Sequence, residues 1–284
     1  MVETGFVTPD PQLFEELVSA ALRAAGEEAQ RDRRLLIDHG SANLVVLAGR
    51  TAVRVSRTRE AAAELERAQR LVDGLPPLPF AVPRSVVDPV YAEGLLAVVQ
   101  RRLPGVPQPS GSGDPRELAA LLGALQGVAL DKLREDLAHP RAFMGGDAWR
   151  DLMAARVLPL LSPGVRIRAE ETVEALSSLE APAVPSLTHG DLAGANVLWV
   201  DGRVAGVIDW DLASAGDPAE DVAALATWHG WDAVADIIGP DTERRARVIA
   251  ATYPLQLVGF ALVQGRPDAE VDRAVQRANR ALSE

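Results

Sequence analysis

A run rich in proline and glycine at residues 104–115 splits this chain into two unlike parts (Pro104, Gly105, Pro107, Pro109, Gly111, Gly113 and Pro115). Neither helix nor sheet propagates easily through such a passage. Before it, the apolar pattern is mostly that of strands. Leu35-Leu36-Ile37, Leu44-Val45-Val46-Leu47 and Thr51-Ala52-Val53-Arg54-Val55 are short β-prone runs. Gly40-Ser41-Ala42-Asn43 and Ala48-Gly49-Arg50 separate them, which predicts an antiparallel meander. A helix is expected over 10–25, with Leu13, Leu17, Ala20 and Ala21 on one face, and another over 58–74. Two further strands fit 84–88 and 95–102, joined through Asp88-Pro89.

After the passage the pattern is helical, over 115–138, 147–161, 167–180, 218–229, 241–263 and 268–282, with a β insert at 186–209. The expected architecture is therefore α+β and bilobal. Residues 1–103 form a small antiparallel-sheet lobe, and 104–284 form a mostly helical lobe with an embedded hairpin.

Composition narrows the function. The 284 residues contain no cysteine, which excludes a disulfide scaffold, a thiolate metal site and a cysteine nucleophile. A net charge of −11 argues against duplex nucleic acid as a partner. The start Met1-Val2-Glu3 lacks a signal-peptide pattern, and no stretch approaches the roughly 18 apolar residues of a membrane helix. A soluble cytoplasmic protein, monomer or homodimer, is the expectation, with no membrane partner. His39, His139, His189 and His229 are scattered, so no histidine cluster supports a metal-dependent hydrolase.

Residues 187–222 concentrate the chemistry. Asp201-Gly202 between apolar runs is a strong hairpin signal. A two-residue turn pairs Val200 with Arg203 and sets Asn196 opposite Val207. Asp209 is then a diagonal neighbour of Asn196, about 7–8 Å away. Asp191 enters the first strand from its loop. Hard oxygen donors of this kind favour Mg²⁺ over zinc.

His189-Gly190-Asp191 with Asn196 resembles the H-x-D-x-x-x-x-N catalytic loop of kinases. Asp209 stands 18 residues after Asp191, in the place of the metal-binding Asp of the D-F-G motif. The His-Gly-Asp form, with Ile208-Asp209-Trp210-Asp211, resembles the aminoglycoside phosphotransferase family, which shares the protein-kinase-like fold. Gly216-Asp217-Pro218 followed by Asp221 also matches it.

The resemblance implies phosphoryl transfer from ATP or GTP to a hydroxyl of an aminoglycoside-like antibiotic. It makes Asp191 the general base and His189 a brace for the loop. Asn196 and Asp209 would hold Mg²⁺. Kinases place a lysine on the third strand, but here that position offers Arg54, while the sole lysine, Lys132, lies in the other lobe. Arg54 is the expected phosphate cation, or else a solvated strand arginine. Glu64 is its expected helix partner, or else a surface partner of Arg67. Gly40 and Ser41 would cover the phosphates, or else form a plain turn.

Residues 204–243 hold nine acids and no Lys or Arg. They suggest a cationic small-molecule substrate, with Asp211, Asp217 and Trp210 lining its site, or else a solvated acidic surface. Trp228 and Trp231 could stack on sugar rings or fill the core. Macrolide and metabolite kinases (homoserine- or choline-type) are alternatives within the family. A non-catalytic nucleotide or antibiotic binding module is the alternative outside it.

Overall fold

The computed structural model describes residues 6–38, 40–179, 182 and 184–283. His39 and residues 1–5 lie outside the described residues. The chain divides into two compact units. The first comprises Met1–Val106, Asp131–Leu137 and Val197–Asp211, and the second comprises Pro107–Leu130, Ala138–Asn196 and Leu212–Glu284. The hairpin thus belongs to the first unit, although the sequence order groups it with the helices.

In the first unit, strands β1 (Leu35–Ile37), β2 (Asn43–Ala48), β3 (Thr51–Ser56), β4 (Val90–Ala92) and β5 (Leu95–Arg101) form one antiparallel sheet in the order β1-β2-β3-β5-β4. Helix α1 (Pro11–Ala24) starts where the Asp10 carboxylate accepts the N–H groups of Gln12 and Leu13 at 2.9 and 3.0 Å. Its Leu17, Val18, Ala21 and Leu22 pack with Val46, Val53, Val55, Ala97 and Val99. Helix α2 (Arg59–Gly74), capped by the Thr58 hydroxyl, lays Ala62 and Leu65 on Leu96 and Val98. Strand β5 is covered on both faces, which explains its continuous apolar run. Alternation along β3 then puts Arg54, register partner of Val98, on the α2 side, while Val53 and Val55 face α1.

The strand expected at 84–88 is displaced. The pair that turns is Glu93-Gly94, with φ of 49° and 85°, and it joins Val90–Ala92 to β5. Residues 84–88 run beside β5 with one isolated bridge, Ser85 to Gln100. The Asp73 carboxylate takes the Ser85 N–H at 2.8 Å and its hydroxyl at 2.6 Å, and Pro89 has no N–H to donate to a ladder.

The hairpin Val197–Val200 and Arg203–Val207 turns through Asp201 (φ 49°) and Gly202 (φ 77°), the type I′ geometry expected of Asp-Gly. Val200 pairs with Arg203 and Trp199 with Val204, but a bulge then shifts the register, so Leu198 meets Gly206 and Val197 meets Val207. Val197, not Asn196, faces Val207. The extra residue is Ala205, whose carbonyl turns outward to the Ala81 N–H at 2.9 Å. A Cβ on Gly206 would lie 2.7 Å from Leu103 Cδ1, so a side chain there would have to displace that leucine.

The second unit is mostly helical. Helix α3 (Pro115–Gln126) stops before Gly127 and so is half as long as expected. The helix expected at 147–161 is a chain of short 3₁₀, α and π turns. The one expected at 241–263 breaks into Pro240–Ala251 and Tyr253–Val263, bent by 50°. Pro254 accounts for the break, since its ring clashes with a carbonyl one turn back. Ser214–Gly216 is an unexpected strand that pairs antiparallel with Ser186–Thr188. Among the described residues no single helix is long and apolar enough to cross a membrane.

The turn gives a clean stability test, because a Cβ on Gly202 would meet nothing within 4 Å. Gly202→Ala should therefore cost only the left-handed backbone penalty of about 1–2 kcal/mol. Thermal melting should fall by a few degrees, and an unchanged melting temperature would contradict the I′ turn.

Candidate active site

In the second unit, the loop after Ser186–Thr188 is held from beneath by one buried acid. Asp221, in the first turn of the helix Ala219–His229, is only 2% exposed. Its carboxylate accepts the N–H of His189 at 2.8 Å and the N–H of Gly190 at 3.1 Å. Burial is the main influence on this group and pushes its pKa up to about 7, against the two amide donors that favour the charge. Gly190 has φ of 78°, and a Cβ there would sit 2.6 Å from the Leu212 carbonyl oxygen, so only glycine fits. His189 is fully buried, and its Nδ1 accepts the Asp191 N–H at 3.3 Å. It acts as a brace within the loop.

Asp191 emerges exposed from this brace. The Asn196 carboxamide donates to its Oδ2 at 3.0 Å and to its backbone carbonyl at 2.8 Å. Asn196 ends a 3₁₀ turn, Gly194–Asn196, where a Cβ on Gly194 would overlap the Trp228 ring. The loop therefore delivers a carboxylate whose direction is set by a neighbouring amide.

In the first unit, Arg54 gathers a second cluster. Its side chain is 11% exposed, so it is not a solvated strand arginine. Nη1 and Nη2 meet the two oxygens of Asp211 at 2.9 and 2.6 Å, and Nη2 lies 3.3 Å from Asp209 Oδ1. Burial, the largest influence, pulls the guanidinium pKa down, but Asp211 and then Asp209 outweigh it and hold the value above the ordinary arginine range. Asp209 itself has φ of 65°, a left-handed conformation that Asp tolerates better than most residues.

Several sequence expectations need correction here. Glu64 does not reach Arg54; it is 67% exposed and pairs with Arg67 at 3.0 Å. A helix position one turn from the apolar face still points to solvent. Asp211, expected beside the substrate, is committed to Arg54. Asp217 accepts the Ala219 N–H at 3.0 Å and pairs with Arg245, whose Nε lies at 2.8 Å, so its carboxylate is taken up by a helix start and an arginine. Trp210 is 1% exposed, with its indole N–H on the Val207 carbonyl at 3.0 Å; it is core and offers no stacking surface. The half-buried Trp228 donates to the Gln108 carbonyl, and Trp231 stacks under Arg247 at 4.1 Å. Gly40 and Ser41 lie half-buried just before β2, where the Gly40 carbonyl accepts Arg57 Nε at 2.9 Å. Arg57 also holds the carbonyls of Val7 and Asp38. Arg54 on β3 therefore faces carboxylates, whereas Arg57, just past the end of that strand, braces backbone.

The acidic stretch 204–243 is not an unpaired surface. Seven of its nine acids have partners: Asp209 and Asp211 on Arg54, Asp217 on Arg245, Glu220 on Arg141, Asp221 on two amides, Asp241 on Arg244 and Glu243 on Arg247. The arginines come from outside the stretch, so a linear count could not see them.

Among the described residues no group of three or more His, Cys, Asp or Glu side chains could hold a metal ion. The expected donors, one carboxylate at Asp209 and one carboxamide at Asn196, are hard oxygens. Each is of the type that Mg²⁺ takes together with phosphate oxygens and water.

Asp221 gives a pH test. Its raised pKa means that the folded state holds a proton the unfolded chain releases between about pH 4 and 7. Its contribution to stability is therefore full at acid pH and declines as pH rises through about 7. The melting-temperature gap between the wild type and Asp221→Asn should be wider at pH 5 than at pH 8. A gap that widened with pH would contradict this.

Comparison with known proteins places this geometry. A family model described as the phosphotransferase enzyme family matches residues 33–254. Viomycin phosphotransferase of Streptomyces vinaceus is 31% identical over 274 residues, covering 84% of this chain and 90% of that protein. Among solved structures, the GDP complex of aminoglycoside 2'-phosphotransferase-IIIa has a TM-score of 0.76 at 15% identity, covering 95% of this chain and 97% of that one. A macrolide 2'-phosphotransferase from Brachybacterium faecium has a TM-score of 0.68 at 24% identity, covering 92% and 98%. These likenesses establish the bilobal, protein-kinase-like α+β fold. The chain belongs to the phosphotransferase enzyme family and is an enzyme of phosphoryl transfer to an alcohol group.

Proposed function

We propose that this enzyme moves the γ-phosphoryl group of ATP or GTP onto a hydroxyl of a small antibiotic, with Asp191 as general base. The Asp191–Asn196 pair carries this reading: an exposed carboxylate, oriented by an amide at 3.0 Å, on a loop whose backbone is gripped by a buried acid. Phosphoryl transfer asks mainly for positioning and charge neutralisation, and a fixed carboxylate supplies the first. Asp191 would take the hydroxyl proton as the acceptor oxygen bonds to phosphorus and the bridging oxygen leaves with the nucleoside diphosphate. His189 positions that carboxylate through the Asp191 N–H. Arg54 is the cation for phosphate oxygens, and its two-pronged fork suits them. Asn196 and Asp209, by their resemblance to the family's metal-binding positions, are each proposed as a Mg²⁺ ligand; the ion would neutralise phosphate charge when bound. Gly40 and Ser41 are the backbone candidates for covering the phosphates.

An antibiotic acceptor is supported by the relatives, whose names specify viomycin, aminoglycosides and macrolides. The charge case for an aminoglycoside-like cation is weaker than the sequence suggested, since most of the acids are already paired. The 31% identity to viomycin phosphotransferase favours a viomycin-like acceptor as a second reading. Burial and two-carboxylate pairing of Arg54 weigh against a degenerate binding module.

Labelled γ-phosphate from ATP and GTP, offered to viomycin, aminoglycosides and macrolides, should appear as an ester on at least one of them. Asp191→Ala should lower that turnover at least ~100-fold with little change in melting temperature. Full turnover in the variant would remove Asp191 from the mechanism. Nucleotide binding without any ester across the panel would support the binding module instead.

A further inference from the structure

Arg54 takes the place of a lysine that is normally steadied by a glutamate on the neighbouring helix, yet none of the three carboxylates at the start of α2 is given to it. Glu64 pairs with Arg67 and Glu66 with Arg70, at 3.0 and 3.4 Å, and Glu60 is not among the groups that meet Arg54. The partner is Asp211, two residues beyond Asp209, and several contacts converge on it. Both of its oxygens meet the guanidinium fork at 2.9 and 2.6 Å. Asn43, the first residue of β2 and 5% exposed, donates Nδ2 to Asp211 Oδ2 at 3.2 Å. Asn43 Oδ1 is buried with no hydrogen-bond partner among the described residues, so Asp211 is the bond its amide makes. From the other side, Arg67 Nη2 holds the Asp211 carbonyl at 2.7 Å, while its Nη1 holds the Asp136 carbonyl at 2.7 Å. The helix therefore acts on Arg54 at one remove. Glu64 orders Arg67, Arg67 pins the backbone of Asp211, and the Asp211 side chain orders Arg54.

We infer that Asp211, steadied by Asn43 and Arg67, is the positioning residue that aims Arg54 at the nucleotide phosphates, in place of a helix glutamate. The inference rests on the nucleotide reading given above. Two carboxylates sit on Arg54, and they have different standing. Asp209 makes a single longer contact, at 3.3 Å, and is the more exposed, whereas Asp211 makes the two-point contact. A planar fork held at two points keeps its plane when the third contact changes. Asp209 can therefore turn to a cation while Asp211 keeps Arg54 in place. A lysine would have no such fork, which is a physical reason for arginine at this position.

The test is nucleotide affinity by calorimetry, a readout independent of turnover, on the wild type, Asp211→Asn, Arg54→Ala and the double variant. Asp211→Asn should weaken nucleotide binding on the order of tenfold, the scale of coupling between contacting residues. It should raise KM for nucleotide while KM for the acceptor stays unchanged. In the Arg54→Ala background the same substitution should change affinity by less than about twofold, because there is no longer a guanidinium to aim. Tighter binding in Asp211→Asn would overturn the proposal, since it would make Asp211 a competitor of the phosphates for Arg54. Fully additive losses in the double variant would overturn it too, as would an unchanged affinity. If Asp211→Asn does not fold, Asn43→Leu, which keeps both charged residues, should still weaken nucleotide several-fold, and no change there would count equally against it. A wild type that binds no nucleotide would remove the underlying reading as well, an outcome distinct from binding with additive losses.

Discussion

A buried acid needs hydrogen-bond donors, and Asp221 finds two of them in the backbone of the loop after Ser186–Thr188. That bond pair dictates the course of His189 and Gly190. The turn it imposes requires a left-handed residue at 190, and the Leu212 carbonyl leaves room only for glycine. His189 is then sealed inside with one ring nitrogen toward the next amide. Asp191 is the first residue of the loop to face outward, and Asn196 sets its direction. The exposed group that could do chemistry is thus the end of a chain of contacts that begins in the core.

The first unit meets a different constraint, a guanidinium almost out of water. Arg54 is nearly buried, so its charge needs compensation, and the segment just after the hairpin supplies it through Asp211 and Asp209. One arginine and two carboxylates carry a formal charge of −1, so the cluster favours an added cation. Across the rest of the molecule the same habit recurs. Arg245, Arg141, Arg244 and Arg247 neutralise acids that a linear reading leaves bare. Selectivity for an acceptor therefore cannot be read from net charge, and shape and hydrogen bonding at the acceptor site must carry more of it.

Local signals were legible where one residue type has one physical use. Asp201-Gly202 announces its tight turn, and the alternation of β3 sets Arg54 on the face opposite Val53 and Val55. The spacing singled out Asp191 and Asn196, but the amide-to-carboxylate bond between them is visible only in the structure. What was illegible depends on partners distant along the chain. The bulge at Ala205 answers to Ala81, and the failed strand at 84–88 answers to Asp73. The choice of Asp211 over Glu64 follows from Arg67, which pairs with Glu64 and holds the Asp211 carbonyl. Asn43 and Arg67 carry no motif at all; a buried amide at the head of a strand and an arginine on a helix are visible only once the fold supplies what they touch. Trp210 was misread for the same reason, since a family-like string does not say which of its members are core.

The central proposal is that Asp209, beside Arg54, is the group that meets a nucleotide carried with a divalent cation. Calorimetric titration of nucleotide into the wild type and into Asp209→Ala, each with and without Mg²⁺, addresses it most directly. The account predicts tighter binding with Mg²⁺ in the wild type and loss of that difference in the variant. Affinity indifferent to the cation in the wild type would contradict it.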